Sequence, residues 1–139
     1  MTDIAPLNYI AASLLAAGVS WVINGWVINS LGGRGIAFLT PLVEEMAKTL
    51  GAVLLGAALV YTHIGFGVVE ALVEMKRRGA RGVGAAGMAV AAHGLFGLLT
   101  ARVYAVSNLL AALFVTYLVH TAWNWFILYY SKQTSLTRE

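Results

Sequence analysis

Long apolar runs dominate this chain and limit what it can fold into. Of its 139 residues, 60% are hydrophobic and only 11% are charged, which is too little charge to cover a soluble domain. A helix crosses the ~30 Å hydrocarbon core of a bilayer with about 20 apolar residues. We therefore expect one all-α membrane domain, a bundle of about five transmembrane helices, with spans at approximately residues 4–29, 36–61, 63–75, 82–100 and 106–130.

The basic residues are distributed unevenly between the expected loops. If the five spans alternate in direction, one face of the membrane receives only Arg102. The other face receives Arg34, Lys76, Arg77, Arg78, Arg81, Lys132 and Arg138. Because cytoplasmic loops carry the excess of Lys and Arg, we expect a multi-pass cell-membrane protein with its N-terminus outside and its C-terminus in the cytoplasm.

Charge and cysteine content exclude several other classes of protein. A net charge of +3 is too small to indicate a nucleic-acid partner, so the lipid bilayer is the expected environment. The chain has no cysteine, which excludes disulfides and thiolate metal sites. Residues 1–7 carry Asp3 and no Lys or Arg, so we expect the first apolar run to be a retained anchor and not a cleaved signal peptide.

Ionisable and amide side chains interrupt four of the expected spans. They are Glu44, Glu45, Lys48, Glu70, His93, His120 and Asn124. Such groups are costly in a bilayer and usually face a bundle interior, a cavity or each other. At ~1.5 Å per residue, they fall within a few ångströms of mid-depth. They either hydrogen-bond helix to helix or form a site for chemistry, and their number at one depth favours a site.

Helical spacing predicts which of these side chains meet. Glu44 and Lys48 are four residues apart and share a helix face, in the order that favours an ion pair. His120 and Asn124 are also four apart, which places an imidazole beside an amide. Pro41 either opens the second helix or kinks it.

Other residues are expected to have structural roles only. His63 and Glu74 lie close to span ends and are expected to be solvated. The glycines of the fourth span are expected to let helices pack closely; they are Gly82, Gly84, Gly87, Gly94 and Gly97.

Four short motifs follow one another along these spans. The first two are Glu44-Glu45-x-x-Lys48 and Phe66-x-x-x-Glu70, followed by His93 and by His120-x-x-x-Asn124. Together they resemble the motifs of the PrsW family of bacterial and archaeal membrane proteases, a relative of the CAAX-processing prenyl-protein endopeptidases. The likeness covers about residues 41–125, and PrsW-type proteins are commonly larger, so this chain corresponds to a minimal core.

The resemblance implies a glutamate-dependent intramembrane endopeptidase that acts on a membrane-anchored or lipidated substrate. Its catalytic residues would be Glu44, Glu45, Glu70, His93, His120 and Asn124, with Lys48 and Phe66 in support. Glu44 would be the general base, and Glu45 would orient the water or share the proton. Glu70 or His93 would relay the proton to the leaving amine, while His120 and Asn124 would donate to the oxyanion.

Other catalytic mechanisms fit the sequence less well. The chain contains neither HExxH nor GxSxG, and Ser20 and Ser107 are expected to lie away from the ionisable layer. No cofactor is expected, although Glu and His are competent ligands for zinc or iron. A second copy of the chain is a candidate partner, because a homodimer would help so small a bundle to enclose a cavity.

Two functions without proteolysis remain open. Chains of Glu, Lys and His also serve proton-coupled or ion-coupled transporters and channels, although we find no internal repeat of the kind that many transporters show. A non-catalytic membrane scaffold or immunity-type protein is the second alternative.

Overall fold

The computed structural model describes residues 5–136, which are almost entirely helical. Ile4, where the first expected span begins, and Arg138, which contributes to the charge asymmetry, lie outside the described residues. The helices are α1 (Ala5–Arg34), α2 (Thr40–Leu54), α3 (Leu59–Arg78), α4 (Val83–Val106) and α5 (Leu109–Leu136). A π-helical segment, Gly35–Leu39, joins α1 to α2, and a 3-10 turn, Gly79–Gly82, joins α3 to α4. The all-α class is therefore confirmed.

Three helical segments are long and apolar enough to cross a membrane, where the sequence predicts about five spans. They are Leu7–Leu54, Leu59–Val106 and Leu109–Gln133. The prediction ended spans before residues 30–35 and 76–81, whereas the helical path continues through both stretches. The helix ends also differ from the expected spans: the α2–α3 connection falls at residues 55–58, inside the expected second span.

Two glycines change the chain direction within the longer segments. Gly32 has φ 55° and ψ −135°, and Gly79 has φ 58°, backbone conformations that glycine adopts readily. After these positions α2 packs against α1, and α4 packs along α3. The break that the sequence predicts between the spans ending at residue 29 and starting at residue 36 thus lies at Gly32. Pro41 stands in the first turn of α2, where its missing N–H costs nothing.

The helices α3 and α4 approach closely at one glycine on each helix, Gly67 on α3 and Gly97 on α4. A Cβ added at Gly97 would lie 2.7 Å from the His63 Cβ, and one at Gly67 would lie 3.1 Å from the Ala89 carbonyl oxygen. The expectation of tight glycine packing in the fourth span is correct at Gly97. It is wrong at Gly84 and Gly87, where an added Cβ would meet nothing within 4 Å.

Polar side chains are buried in this bundle and large apolar side chains are exposed. Lys48, His63 and Glu45 are the largest fully buried side chains. Trp21 and Leu54, in contrast, are 79% and 81% exposed. An exposed apolar surface of this extent suits lipid rather than water, and the buried polar groups must then satisfy one another inside the bundle.

Candidate active site

Glu45 on α2 is the centre of the buried polar network. Its Oε1 accepts from Lys48 Nζ at 2.5 Å and from His120 Nδ1 at 2.7 Å, while its Oε2 lies 3.2 Å from His63 Nε2. The carboxylate is buried and is bonded by side chains from three helices. A buried charge is tolerated when it is paired and hydrogen-bonded in this way.

Lys48 pairs with Glu45 and not with Glu44, contrary to the prediction from helical spacing. The pair is separated by three residues along α2, and both spacings place side chains on one helix face. The choice comes from tertiary contacts, since His63 and His120 approach Glu45 from α3 and α5. Lys48 Nζ also lies 4.8 Å from the Phe66 ring centre, a cation–π contact, so Phe66 packs against the polar network.

His93 on α4 links Lys48 to Glu70. Its Nδ1 lies 3.0 Å from Lys48 Nζ, and its Nε2 lies 2.7 Å from Glu70 Oε2. An ammonium group only donates hydrogen bonds, so Nδ1 accepts and Nε2–H donates to the Glu70 carboxylate. The network therefore assigns His93 the neutral tautomer with its proton on Nε2.

Glu44 and Glu45 are adjacent in the chain, but the Glu44 carboxylate has different neighbours. Asn24 Nδ2 on α1 donates to Glu44 Oε1 at 3.0 Å. The other oxygen, Oε2, lies 3.8 Å from His120 Nε2, too far for a direct hydrogen bond. Because Glu45 only accepts at His120 Nδ1, that nitrogen carries the proton, and Nε2 of the neutral ring is an acceptor facing Glu44.

The Asn124 amide is bonded to the connection between α1 and α2. Asn124 Nδ2 donates to the carbonyl oxygen of Ile36, 3.1 Å away in the π-helical segment. This contact ties α5 to the α1–α2 connection. One of the two amide N–H groups of Asn124 is thereby occupied, and the residue still lines the same cavity as His120.

Two residues of the network had no predicted role. His63 is fully buried, not solvated as predicted. Its Nδ1 donates to the Leu59 carbonyl oxygen at 2.9 Å, and since Glu45 also only accepts, the hydrogen bond from Nε2 to Glu45 requires a proton on both ring nitrogens. It lies three residues before Phe66 and seven before Glu70, a helical spacing that was available in the sequence. Asn24 could also have been identified from the sequence, because it is an amide inside an apolar run.

Glu74 is also not simply solvated as the sequence predicted, since it pairs with Arg78 at 2.5 Å.

Two cavities meet at Glu44. The polar cavity has a volume of about 670 Å³ and is lined by Glu44, Glu70, His93, His120 and Asn124, with Arg77 and Arg78 also on its wall. The second, which we call the α1–α3 groove, has a volume of about 380 Å³ and a mostly apolar wall. Asn24, Glu44 and Glu70 line both. Both volumes are in the range of ligand sites, and both form within a single chain.

Ser20 lies closer to the site than predicted. It is buried and lines the α1–α3 groove with Asn24 and Glu44. It has no histidine or lysine partner among the hydrogen bonds of the described residues, so it lacks the base that a serine nucleophile requires.

Within residues 5–136, no group of three or more His, Cys, Asp or Glu side chains is arranged to hold a metal ion. The Lys48 ammonium lies between Glu45 and His93, and it occupies the carboxylate oxygen and imidazole nitrogen that would otherwise serve as metal ligands. Its positive charge opposes a cation there.

All seven predicted polar residues lie in or beside this one site, with Glu44, Glu45, Lys48, Glu70, His93 and His120 forming a nearly continuous chain of contacts. The arrangement brings a carboxylate oxygen of Glu44 and an imidazole nitrogen of His120 to within 3.8 Å of each other on the wall of a polar cavity. Comparisons with protein families, with characterised proteins and with solved structures find no match for this chain.

Proposed function

We propose that the protein is an intramembrane endopeptidase in which Glu44 activates water against a peptide bond of a membrane-anchored substrate. One observation carries the proposal: Glu44 Oε2 and His120 Nε2 face each other 3.8 Å apart on the polar cavity. A water hydrogen-bonded to both acceptors fits that separation at ordinary distances of about 2.8 Å.

The reaction is ordinary amide hydrolysis. The water oxygen attacks the carbonyl carbon while Glu44 takes its proton as general base. The C–N bond then breaks, and the proton passes to the leaving nitrogen, which gives a carboxylic acid and an amine. His120 relays the proton through Nε2, since Glu45 at Nδ1 stabilises the imidazolium that forms. Asn124 supplies its second amide N–H to the oxyanion.

The remaining polar residues position these groups. Lys48 holds Glu45 in place through its 2.5 Å contact, and His93 and Glu70 hold Lys48 from the other side. Asn24 fixes the Glu44 carboxylate by donating to Oε1. This leaves Oε2 directed at the water, which is the arrangement that a general base needs.

A cleavage assay tests the proposal. The purified chain in liposomes is incubated with a panel of single-span peptides, beside Glu44→Gln and Glu74→Gln. Glu44→Gln should lose activity by about 10²–10⁴-fold, the contribution of a general base. Glu74→Gln, altered at the cavity wall in a pair with Arg78, should retain it. A folded Glu44→Gln protein that still cleaves would reject the proposal.

Proton-coupled transport is the second candidate. The contact chain from Glu70 through His93, Lys48, Glu45 and His120 to Glu44 links titratable groups across four helices, as in proton pathways. A pH-sensitive dye trapped in the same liposomes separates the two functions. Proton flux without peptide cleavage favours transport, and cleavage without flux favours hydrolysis.

We further propose five crossings, with the N-terminus outside and the C-terminus in the cytoplasm. The segments Leu7–Leu54 and Leu59–Val106 each contain 48 residues, about 72 Å of helix at ~1.5 Å per residue. A single crossing needs ~30 Å, and each segment turns back near Gly32 or Gly79. Cysteines introduced singly at Gly33, Ala80 and Ser107 and labelled from either side of the membrane test this. Gly33 and Ala80 should label from the cytoplasm and Ser107 from outside.

A further inference from the structure

The α1–α3 groove begins where two tightly packed helices diverge. Ser13 Oγ donates to the Thr62 carbonyl oxygen at 3.0 Å, and the Tyr9 and Tyr61 ring centres lie 5.3 Å apart. Further along both helices the groove opens between Gly18 and Val69, with the exposed Trp21 on its wall. An apolar cleft therefore runs from the lipid-facing surface to Glu44.

Two buried polar atoms on the wall of this groove lack partners. Ser20 Oγ and Asn24 Oδ1 accept or donate no hydrogen bond within the described part of the chain, although the residues are only 2% and 9% exposed. Leaving such a group unpaired costs about 1–3 kcal/mol. The two residues are four apart on α1, so they share a face and are separated by one turn of about 5.4 Å.

The missing partner of Asn24 must be a donor. Its Nδ2 donates to the Glu44 carboxylate, which only accepts, so Oδ1 is the free end of the amide and is an acceptor. A lipid acyl chain has no N–H to offer it. A polypeptide backbone offers N–H and C=O groups, and alternate residues of an extended chain repeat about every 6.6 Å, close to one helical turn.

We propose that the α1–α3 groove binds an extended backbone segment of the substrate, with Ser20 and Asn24 as its hydrogen-bond partners. This rests on the proposed hydrolase function and specifies how its substrate is held. A transmembrane segment that unwinds in lipid must find new partners for its backbone groups, and these two side chains provide them. The next residues along the groove, Glu44 and Glu70, line the polar cavity too, so the bound segment meets water there.

Gly18 allows the groove to be tested without disturbing the fold. A side chain added at Gly18 or at Gly25 would meet nothing within 4 Å. Gly18 lines the groove, whereas Gly25, on the same helix, does not. Since the chain has no cysteine, Gly18→Cys and Gly25→Cys each carry a single thiol, and Gly25→Cys is the matched control.

Disulfide trapping in liposomes measures occupancy of the groove directly. The probe is a single-span Leu/Ala peptide with one central cysteine, added with a mild oxidant. Gly18→Cys should be trapped about tenfold faster than Gly25→Cys, and adding Ser20→Ala should slow trapping at Gly18 about fivefold, the equivalent of one hydrogen bond of ~1 kcal/mol. Equal trapping at both positions would overturn the proposal, because the groove would then be ordinary lipid-facing surface.

The groove and the hydrolase can fail separately. Preferential trapping at Gly18, with no peptide cleaved by the unmodified chain, supports the groove and rejects the hydrolase. Cleavage that persists with equal trapping at the two positions rejects the groove alone. Where cleavage is present, Gly18→Leu should raise KM about tenfold while Gly25→Leu leaves it unchanged, and equal KM values for the two variants would contradict the groove.

Discussion

Glu44 and Glu45 are adjacent in α2, but their carboxylates face different surroundings. Glu45 is 0% exposed and is bonded to Lys48, His63 and His120. Glu44 lines both cavities and keeps one oxygen directed at a gap of 3.8 Å to His120 Nε2. Glu45 is therefore bonded into the structure while Glu44 is accessible from the cavities, so substitutions around Glu45 should affect stability and substitutions of Glu44 should affect activity.

Lys48→Met should lower the free energy of unfolding by about 3–5 kcal/mol, because it leaves the Glu45 charge buried without its partner. Thermal unfolding in detergent measures the change. The double variant Lys48→Met with Glu45→Gln removes both charges and should recover most of the loss. Arg78→Met is the control: Arg78 is 65% exposed in its pair with Glu74, so its loss should stay below about 1 kcal/mol. A Lys48→Met protein as stable as the control would show that the buried pair is not what holds α2.

His63→Leu should lower kcat and leave KM unchanged, since His63 contacts Glu45 and lines neither cavity. It should also cost about 1–3 kcal/mol of stability, as Glu45 Oε2 loses a buried partner. His63→Gln keeps an N–H donor directed at Glu45 and should restore most of the kcat and most of the stability. If the Leu and Gln variants behave alike in kcat and stability, the hydrogen bond to Glu45 is not the role of His63.

Gly97→Ala should destabilise the bundle and reduce turnover, because its new Cβ would lie 2.7 Å from the His63 Cβ and displace that ring from Glu45. Gly84→Ala, on the same helix with open space around it, should be neutral or stabilising by up to ~1 kcal/mol. Unfolding temperature and peptide cleavage, measured on both variants, check this. Equal effects of the two substitutions would mean that α4 shifts freely against α3.

Peptide cleavage should persist in strong chelators. The proposed reaction uses Glu44 as the base and includes no metal, and Lys48 occupies the space between Glu45 and His93 where a metal would have its ligands. The measurement compares the initial rate before and after dialysis against a chelator. A loss of activity that added zinc reverses would contradict the proposed role of Glu44.

The sequence by itself determined the class of fold and identified most residues of the buried polar network. Apolar runs of this length favour helices that are compatible with a membrane, and polar groups such as Glu70 and His93 inside such helices usually face one another. These are consequences of composition and periodicity, which are local properties of the chain.

Only the tertiary structure decided which polar groups are partners. Helical spacing allows Lys48 to reach Glu44 or Glu45, and the approach of His63 and His120 from other helices selects Glu45. The role of Asn24 and the burial of His63 likewise depend on how α1 and α4 pack, the latter through Gly97. These partnerships depend on distances between helices, and such distances cannot be predicted from the spacing of residues along one helix.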